Sequence, residues 1–144
     1  MDEPPARSGS KDPDQIRLLR RARDHHGHAA TIEDRRPVRS AARDGQVVGR
    51  VSIRHELNDW LQTYGGHIGY AVRPAYRRRG IATEILRRSL PIARSAGLDR
   101  VLLICDESNV GSIRTIESCG GLLEGPGVEQ DAVPTLRYWI DTPS

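Results

Sequence analysis

The stretch that decides the fold reads Val72-Arg73-Pro74-Ala75-Tyr76-Arg77-Arg78-Arg79-Gly80-Ile81-Ala82. A strand-like segment ends at Pro74, and helical spacing of apolar residues begins at Gly80. Gly80 and Ala82 leave the backbone uncovered where that helix starts. The first N–H groups of a helix have no partner within it and lie at the positive end of its dipole. The stretch therefore predicts a strand, a turn and a helix whose first turn suits a pyrophosphate.

Three consecutive arginines, Arg77, Arg78 and Arg79, add charged donors beside the helix start. Taken alone, this short pattern fits a solvated arginine turn better than a binding loop. Two other phosphate motifs, GxxxxGK(S/T) and GxGxxG, do not occur in the sequence. That argues against nucleoside triphosphates and dinucleotides as ligands.

The segments around this stretch predict an α/β fold. Apolar runs and alternation predict strands over residues 46–55, 67–73, 100–105, 122–124 and 135–140. Helical spacing predicts helices over 80–95 and 109–118, and 57–66 is predicted to be a loop. A right-handed strand–helix–strand crossover joins parallel strands, so strands 67–73 and 100–105 are expected to run parallel. The other pairings are expected to be hairpin-like, which gives a mixed sheet with helices on its faces.

The first 45 residues differ in composition from residues 46–144. They hold six large aliphatic side chains, against 27 in the rest of the chain. Residues 1–45 therefore offer little apolar surface to offset the entropy of ordering, and we expect a separate, atypical or shortened segment there. Residues 1–11 are expected to be disordered. Asp12-Pro13-Asp14-Gln15 predicts the start of a helix that runs to about Arg23.

Length and composition exclude several classes of protein. A chain of 144 residues suits one domain, and its formal net charge is +3. Two cysteines cannot build a disulfide scaffold, and no zinc-ligand spacing occurs. His25, His26 and His28 lie close together, but a solvated stretch is favoured over a metal site, and no metal is expected. No apolar run approaches the roughly 18 residues of a membrane span and no export signal is visible, so we expect a cytoplasmic protein with no membrane partner.

This ordered set of segments resembles the GNAT superfamily of acyl-CoA N-acyltransferases. In that family a loop written Arg/Gln-x-x-Gly-x-Gly/Ala holds the pyrophosphate of acetyl-CoA, and Arg77-x-x-Gly80-x-Ala82 has this form. Residues 66–72 look like the family's fourth strand. The resemblance implies a mixed, mostly antiparallel sheet with a central pair of splayed parallel strands and flanking helices.

A second motif supports the resemblance. The family's Asn-x-x-Ser/Ala, followed by a helix and a glycine, is similar to Asn109, Ser112 and Gly120. The resemblance covers about residues 46–140. Residues 54–57, 65–70 and 137–140 are similar to a bacterial subgroup of undefined substrate.

The resemblance implies acetyl-CoA as cosubstrate and a role for each motif. Ala71 and Val72 would border the pantetheine arm, with Val72 lending its backbone groups. The residues that would hold the pyrophosphate are Arg77, Arg78, Arg79, Gly80, Ile81, Ala82 and Thr83. Asn109 and Ser112 would contact the cofactor from the other side. Asn109 is equally a preferred helix N-cap residue, and both roles can hold at once.

Two departures from the family pattern bear on activity. Many members carry a tyrosine, seven residues after the motif asparagine, as general acid toward the leaving thiolate. This chain has Ile116 there, which cannot donate a proton. Cys119 is nearby in sequence, and a buried structural thiol is favoured over a donor. The family also begins with a strand and two helices that wall the acceptor site, and residues 1–45 do not show that pattern.

The resemblance implies an N-acetyltransferase that moves acetyl from acetyl-CoA to a primary amine by direct attack in a ternary complex. Ping-pong chemistry through Cys105 or Cys119 is the less favoured mechanism. The alternative function is a catalytically inactive acyl-CoA-binding or interaction module. A nucleic-acid-binding protein is disfavoured, because residues 46–144 carry a net charge of only +1. The acceptor stays open among small amines, antibiotics, peptide N-termini and lysine side chains, and an exposed sheet edge would favour a homodimer.

Glu56 and His67 are the candidates for the catalytic base. An alkylammonium must lose a proton before it attacks a thioester. Glu56 closes a predicted strand and His67 opens the next one, and both also fit ordinary roles, a solvated strand end and a polar residue on the outer sheet face. His67 has the opposite strand parity to Val72, so Glu56, acting through water, is favoured over His67. Solvent itself is the remaining alternative.

Overall fold

The computed structural model describes residues 15–20 and 38–143, whose strands form two antiparallel sheets. The first sheet has the order β1 (Arg17–Arg20), β2 (Val38–Arg43), β3 (Gln46–Ile53) and β4 (Ile68–Val72). The second has β7 (Thr135–Asp141) between β5 (Arg100–Asp106) and β6 (Leu122–Pro126). The fold is therefore of the mixed α/β class that the sequence predicts.

Two helices pack on these sheets, α1 (Ile81–Ser95) and α2 (Val110–Ser118). The buried face of α1 repeats at helical spacing and consists of Ile81, Ile85, Leu86, Ser89, Leu90 and Ala93. Ser89 is fully buried and donates its hydroxyl proton to the Ile85 carbonyl at 2.8 Å, which satisfies the one polar side chain of that face. This apolar face fixes the start of α1 against the ends of β3 and β4.

The predicted elements from residue 46 onward are present, with ends shifted by no more than two residues. The predicted loop 57–66 contains a helical turn over Leu61–Gly65. The Asn58 side chain accepts a hydrogen bond from the Leu61 N–H at 2.8 Å and so caps that turn. A loop prediction from composition misses such a turn, because one side-chain cap decides it.

The predicted helix that starts at Asp12-Pro13-Asp14-Gln15 and runs to about Arg23 is wrong over residues 15–20, the part of it that the structure describes. Arg17–Arg20 form β1, which pairs with β2 in the register Arg17↔Ala42 to Arg20↔Arg39. Ile16 is buried and Leu18 packs on the core, whereas Leu19 is exposed, so the apolar side chains alternate as in a strand. The ladder with β2 supplies backbone partners that override the local helix signal.

Part of the predicted N-terminal segment belongs to the first sheet, because β2 pairs with β3 across the Asp44-Gly45 turn. The division at residue 45 therefore falls inside a hairpin, and the separate behaviour of residues 1–45 stays a prediction. Residues 1–14 and 21–37 lie outside the described part of the chain, and with them the predicted disorder of 1–11 and the histidines His25, His26 and His28.

No helix among the described residues is long and apolar enough to cross a membrane. In the same residues, no group of three or more histidine, cysteine, aspartate or glutamate side chains is placed to hold a metal ion.

The predicted pairing of the two central strands is not present as a ladder. β4 and β5 belong to different sheets, and every ladder in residues 15–20 and 38–143 is antiparallel. The two strands meet at one point, where the His67 N–H donates to the Leu102 carbonyl at 2.7 Å. Their parallel direction and their separation stay predictions, and the edge of β4 that faces away from β3 has no strand partner among the described residues.

Candidate functional site

The free edge of β4 presents backbone donors and acceptors that no neighbouring strand of the described residues pairs with. The Arg73 N–H donates to the Val48 carbonyl at 2.8 Å across the ladder with β3. In an antiparallel ladder, alternate residues turn their backbone groups toward the neighbour and those between turn theirs away. Tyr70 and Val72, opposite Val51 and Gly49, therefore direct N–H and C=O groups to the free edge. Such an edge pairs with an extended ligand that carries amide groups.

His67 joins the start of β4 to β5 through two hydrogen bonds with Leu102. Its Nδ1 accepts a hydrogen bond from the Leu102 N–H at 2.9 Å, beside the backbone bond between the same residues. Its side chain is buried, and burial lowers the pKa of the imidazole below its ordinary value. Gly66, with φ of +69°, lets the chain approach this closely, since a Cβ there would lie 2.5 Å from the Leu102 oxygen. We call this paired contact the His67–Leu102 clamp.

Tyr70 and Ser112 face each other on the far side of the clamp. The Tyr70 hydroxyl on β4 and the Ser112 hydroxyl in the first turn of α2 are 2.8 Å apart. The alternation of the sequence placed Tyr70 on a strand face with Ile68 and Val72, but no local signal indicated that its hydroxyl reaches α2. This contact is the feature of the candidate site that sequence reasoning missed.

The loop after β4 has the form that the sequence predicts. Arg78 and Gly80 both have positive φ, +65° and +76°, and α1 begins directly after Gly80. A Cβ at Gly80 would meet no atom within 4 Å, so the surface in front of the helix start is open. The Glu84 N–H donates to the Gly80 carbonyl at 3.1 Å. The N–H groups before it, in the first turn, therefore have no acceptor within the helix.

Arg77, Arg78 and Arg79 are exposed around this opening. The Arg77 Nε donates to the Val72 carbonyl at 3.1 Å, so two of the residues predicted to contact a cofactor are bonded to each other. Arg79 lies over the Tyr76 ring, 5.9 Å from its centroid. The loop is thus lined by guanidinium groups that border both the edge of β4 and the helix start.

Four residues that were predicted to contact the cofactor have part of their backbone or side chain turned away from the loop surface or packed against the protein. Ile81 is buried in the core and the Thr83 hydroxyl points to Thr115 at 3.5 Å, which leaves their backbone N–H groups for a ligand. Ala71 alternates with Tyr70 and Val72, so its backbone groups face β3. Ala82, one residue into α1, is half-buried.

Asn109 is the N-cap of α2. Its Oδ1 accepts a hydrogen bond from the Ser112 N–H at 3.0 Å, which is the capping role that the sequence left open. Asn109 is exposed, and a bond through Oδ1 leaves its amide N–H₂ group available to a ligand. The contacts Tyr70–Ser112, Arg77–Val72 and Thr83–Thr115 thus bring the edge of β4, the loop and the first turns of α1 and α2 together.

A family model described as the acetyltransferase (GNAT) family matches residues 3–120. The chain belongs to this family. The comparison with curated proteins found no match.

Solved structures share the GNAT fold with this chain. One, described as "a putative phosphinothricin N-acetyltransferase", aligns with a TM-score of 0.63 at 20% identity over 90% of this chain and 99% of that one. YncA from Salmonella typhimurium, solved with acetyl-CoA, has a TM-score of 0.58 at 21% identity over 85% and 69% of the two chains. The microcin C7 self-immunity acetyltransferase MccE, solved with acetyl-CoA and AMP, aligns with a TM-score of 0.57 at 22% identity over 72% of this chain and 59% of that one. At these identities the likeness concerns the fold.

The position that carries a tyrosine in many GNAT proteins is structural here. Ile116 is 1% exposed and belongs to the core, and a Cβ at Gly121 would lie 2.4 Å from its Cγ2 atom. No proton can come from this side chain. Any side-chain donor in this GNAT protein must therefore be another residue.

Neither Cys105 nor Cys119 forms a disulfide. Burial raises the pKa of Cys105 and of Cys119, and their side chains are buried and half-buried. The Cys119 Sγ also points to the Thr83 carbonyl at 3.7 Å. Because the thiolate is the nucleophile, this environment disfavours an acyl-cysteine.

The two predicted bases occupy different environments. Glu56 is exposed, two residues beyond Arg54, whose N–H donates to the His67 carbonyl at 2.7 Å. In His67, an Nδ1 that accepts a hydrogen bond requires the proton of the neutral ring to be on Nε2. Neither nitrogen then has a free lone pair, so this geometry favours Glu56 over His67.

Proposed function

We propose that this chain is an N-acetyltransferase that transfers the acetyl group of acetyl-CoA to a primary amine. One observation carries the proposal: the free edge of β4 leads directly into the arginine loop and the open start of α1. An extended ligand with amide groups at one end and a pyrophosphate at the other matches this order of groups.

The binding mode follows from the same contacts. The pantetheine amides pair with the backbone of Tyr70 and Val72, and the pyrophosphate meets the N–H groups after Gly80 and the three arginines. Arg77 must leave the Val72 carbonyl when pantetheine arrives, which frees the guanidinium for the phosphates. Asn109 borders the cofactor from α2.

A calorimetric titration of the protein with acetyl-CoA tests the binding step. We expect saturable one-to-one binding that weakens as salt rises, because exposed arginine–phosphate contacts are screened. Absence of saturable heat at any salt concentration would refute acetyl-CoA as the cosubstrate.

We further propose that the amine attacks the thioester directly, in a ternary complex. Burial raises the pKa of both thiols, which supports this order over a ping-pong route. The double variant Cys105→Ala, Cys119→Ala is expected to keep turnover within about threefold, since each change removes only a sulfur from a packed site. Turnover with an amine acceptor and the intact mass of protein incubated with acetyl-CoA alone measure this. An acetylated wild-type protein, together with an inactive double variant, would establish the ping-pong route instead.

Glu56 is proposed to accept the ammonium proton through water. Glu56→Gln is expected to lower turnover by about 100-fold, the usual size of a general-base contribution. Acetyl-CoA affinity should be nearly unchanged, because Glu56 precedes the cofactor loop and lies on neither β4 nor α1. Unaltered turnover in Glu56→Gln and in His67→Asn would assign proton removal to solvent.

A second candidate function is an inactive acyl-CoA-binding module, which the buried Ile116 favours. It predicts the same titration with acetyl-CoA and no acetylated product with any amine. The acceptor class, whether small molecule or peptide, the cytoplasmic location and a homodimer stay predictions from the sequence.

A further inference from the structure

The departing group of the proposed reaction needs a proton. Attack of an amine on a thioester expels a thiolate, and a positioned acid lowers the barrier to that step. We infer, on the basis of the proposed function, that the Tyr70 hydroxyl donates this proton and is the general acid of the enzyme.

The position of Tyr70 carries this assignment. Its backbone lies on the free edge of β4, and its hydroxyl is 2.8 Å from the Ser112 hydroxyl on α2. The same residue therefore presents its main chain to the free edge of β4 and its side chain to the first turn of α2. Tyr70 is three residues beyond the His67–Leu102 clamp, where β4 and β5 are no longer bonded. In the proposed binding mode the pantetheine arm pairs with the backbone of Tyr70 itself, which brings the thioester to the residue that carries this phenol.

The surroundings keep the phenol protonated. Burial raises the pKa of Tyr70, an effect that the hydroxyls of Ser112 and Thr115 partly oppose. The titratable groups that face it are Cys105 on β5 and Cys119 at the end of α2, and both act to raise its pKa. Tyr70 is therefore neutral at pH 7 and has a proton to give.

The protons balance in this scheme. The alkylammonium first loses one proton to water and Glu56. The neutral amine nitrogen then bonds to the acetyl carbon, the carbon–sulfur bond breaks, and the sulfur takes the proton of Tyr70 to become the free thiol. The amide nitrogen loses its extra proton, which restores the phenol through Ser112. The net products are the acetylated amine, coenzyme A and one proton.

The other hydroxyl groups near this point are less suited. Thr83 and Thr115 lie 3.5 Å from each other on α1 and α2, and aliphatic hydroxyls are far weaker acids than a phenol. Ser112 contacts Tyr70 directly and fits the role of a relay. Tyr138 is buried and donates to the Glu117 carboxylate at 3.0 Å, so its proton is engaged elsewhere.

Tyr70→Phe tests the assignment, with Tyr138→Phe as the matched control. Tyr70→Phe is expected to lower kcat by about 100-fold or more and to remove the basic limb of the kcat profile, with acetyl-CoA affinity nearly unchanged. Tyr138→Phe likewise removes one phenol hydroxyl, here the one that donates to Glu117. It should change the melting temperature and leave the pH profile of kcat as it is in the parent. Unchanged kcat and basic limb in Tyr70→Phe, with an active parent, would overturn the role of Tyr70 and leave the proposed function intact.

A second replacement preserves the shape of the site. Substitution of Tyr70 by 3-fluorotyrosine makes the phenol more acidic, so the basic limb should move to lower pH. If the basic limb of the kcat profile stays at the same pH in the 3-fluorotyrosine protein, the assignment is overturned, even if Tyr70→Phe fails to fold. A parent protein that binds acetyl-CoA and acetylates no amine would instead refute the proposed function, and the role of Tyr70 with it.

Discussion

Gly80→Glu is expected to abolish detectable acetyl-CoA binding. Gly80 has a φ of +76° and faces open space directly before the first turn of α1. A glutamate side chain there would fill the proposed pyrophosphate site. Two like charges about 4 Å apart repel by about 4 kcal/mol near a protein surface, before screening by salt. We therefore expect affinity to fall by about 100-fold or more in a calorimetric titration.

Gly97→Glu is the matched control for this substitution. Gly97 also has positive φ, +97°, and open space around it, but it follows the other end of α1. Both variants force a non-glycine residue into left-handed backbone, which costs roughly 1–2 kcal/mol of stability. Only Gly80→Glu should lose acetyl-CoA. Equal affinities in Gly80→Glu and the parent would show that the loop does not hold the cofactor.

His67→Ala is expected to cause the largest loss of stability. The change removes the Nδ1 acceptor of the Leu102 N–H, and Leu102 is fully buried. An unsatisfied buried donor costs about 1–3 kcal/mol, and the loss of buried ring contacts adds to this. The melting temperature should fall by roughly 5 °C or more.

His67→Asn separates the hydrogen bond from the charge. The asparagine Oδ1 can take the place of Nδ1 as acceptor, so this variant should keep most of the stability. Because burial lowers the pKa of His67 below its ordinary 6.5, the unfolded chain binds the proton first as pH falls. The parent should therefore lose stability on acidification below about pH 6.5, and His67→Asn should lose less. Equal acid sensitivity of the two proteins would contradict the clamp.

Local signals explain why the centre of the fold could be predicted. Pro74 ends a strand, Gly80 begins a helix, and the apolar residues of α1 recur at helical spacing, all within a few positions of one another. β1 could not be predicted in this way. Its backbone partners are in β2, 19 to 25 positions along the chain, and four residues carry too little pattern to reveal the pairing.

The same limit applies to the site. The arginine loop is contiguous, so its residues and its order were visible in the sequence. The Tyr70–Ser112 contact joins residues 42 positions apart, and the His67–Leu102 clamp joins residues 35 apart. Such contacts depend on how the two sheets meet, which strand periodicity does not encode. For this reason the sequence could offer His67 as a candidate base, although its Nδ1 accepts a hydrogen bond from Leu102 on β5.

Amine-dependent release of coenzyme A tests the account most directly. Purified protein, acetyl-CoA and each member of a panel of small amines, peptides and lysine-containing peptides would be assayed for free thiol and for acetylated product by mass. We predict that at least one amine gives thiol and acetylated amine in equal amounts, and only when protein and both substrates are present. Acetyl-CoA binding without acetylation of any amine, or thiol release that does not depend on the amine, would contradict the proposed acetyltransfer.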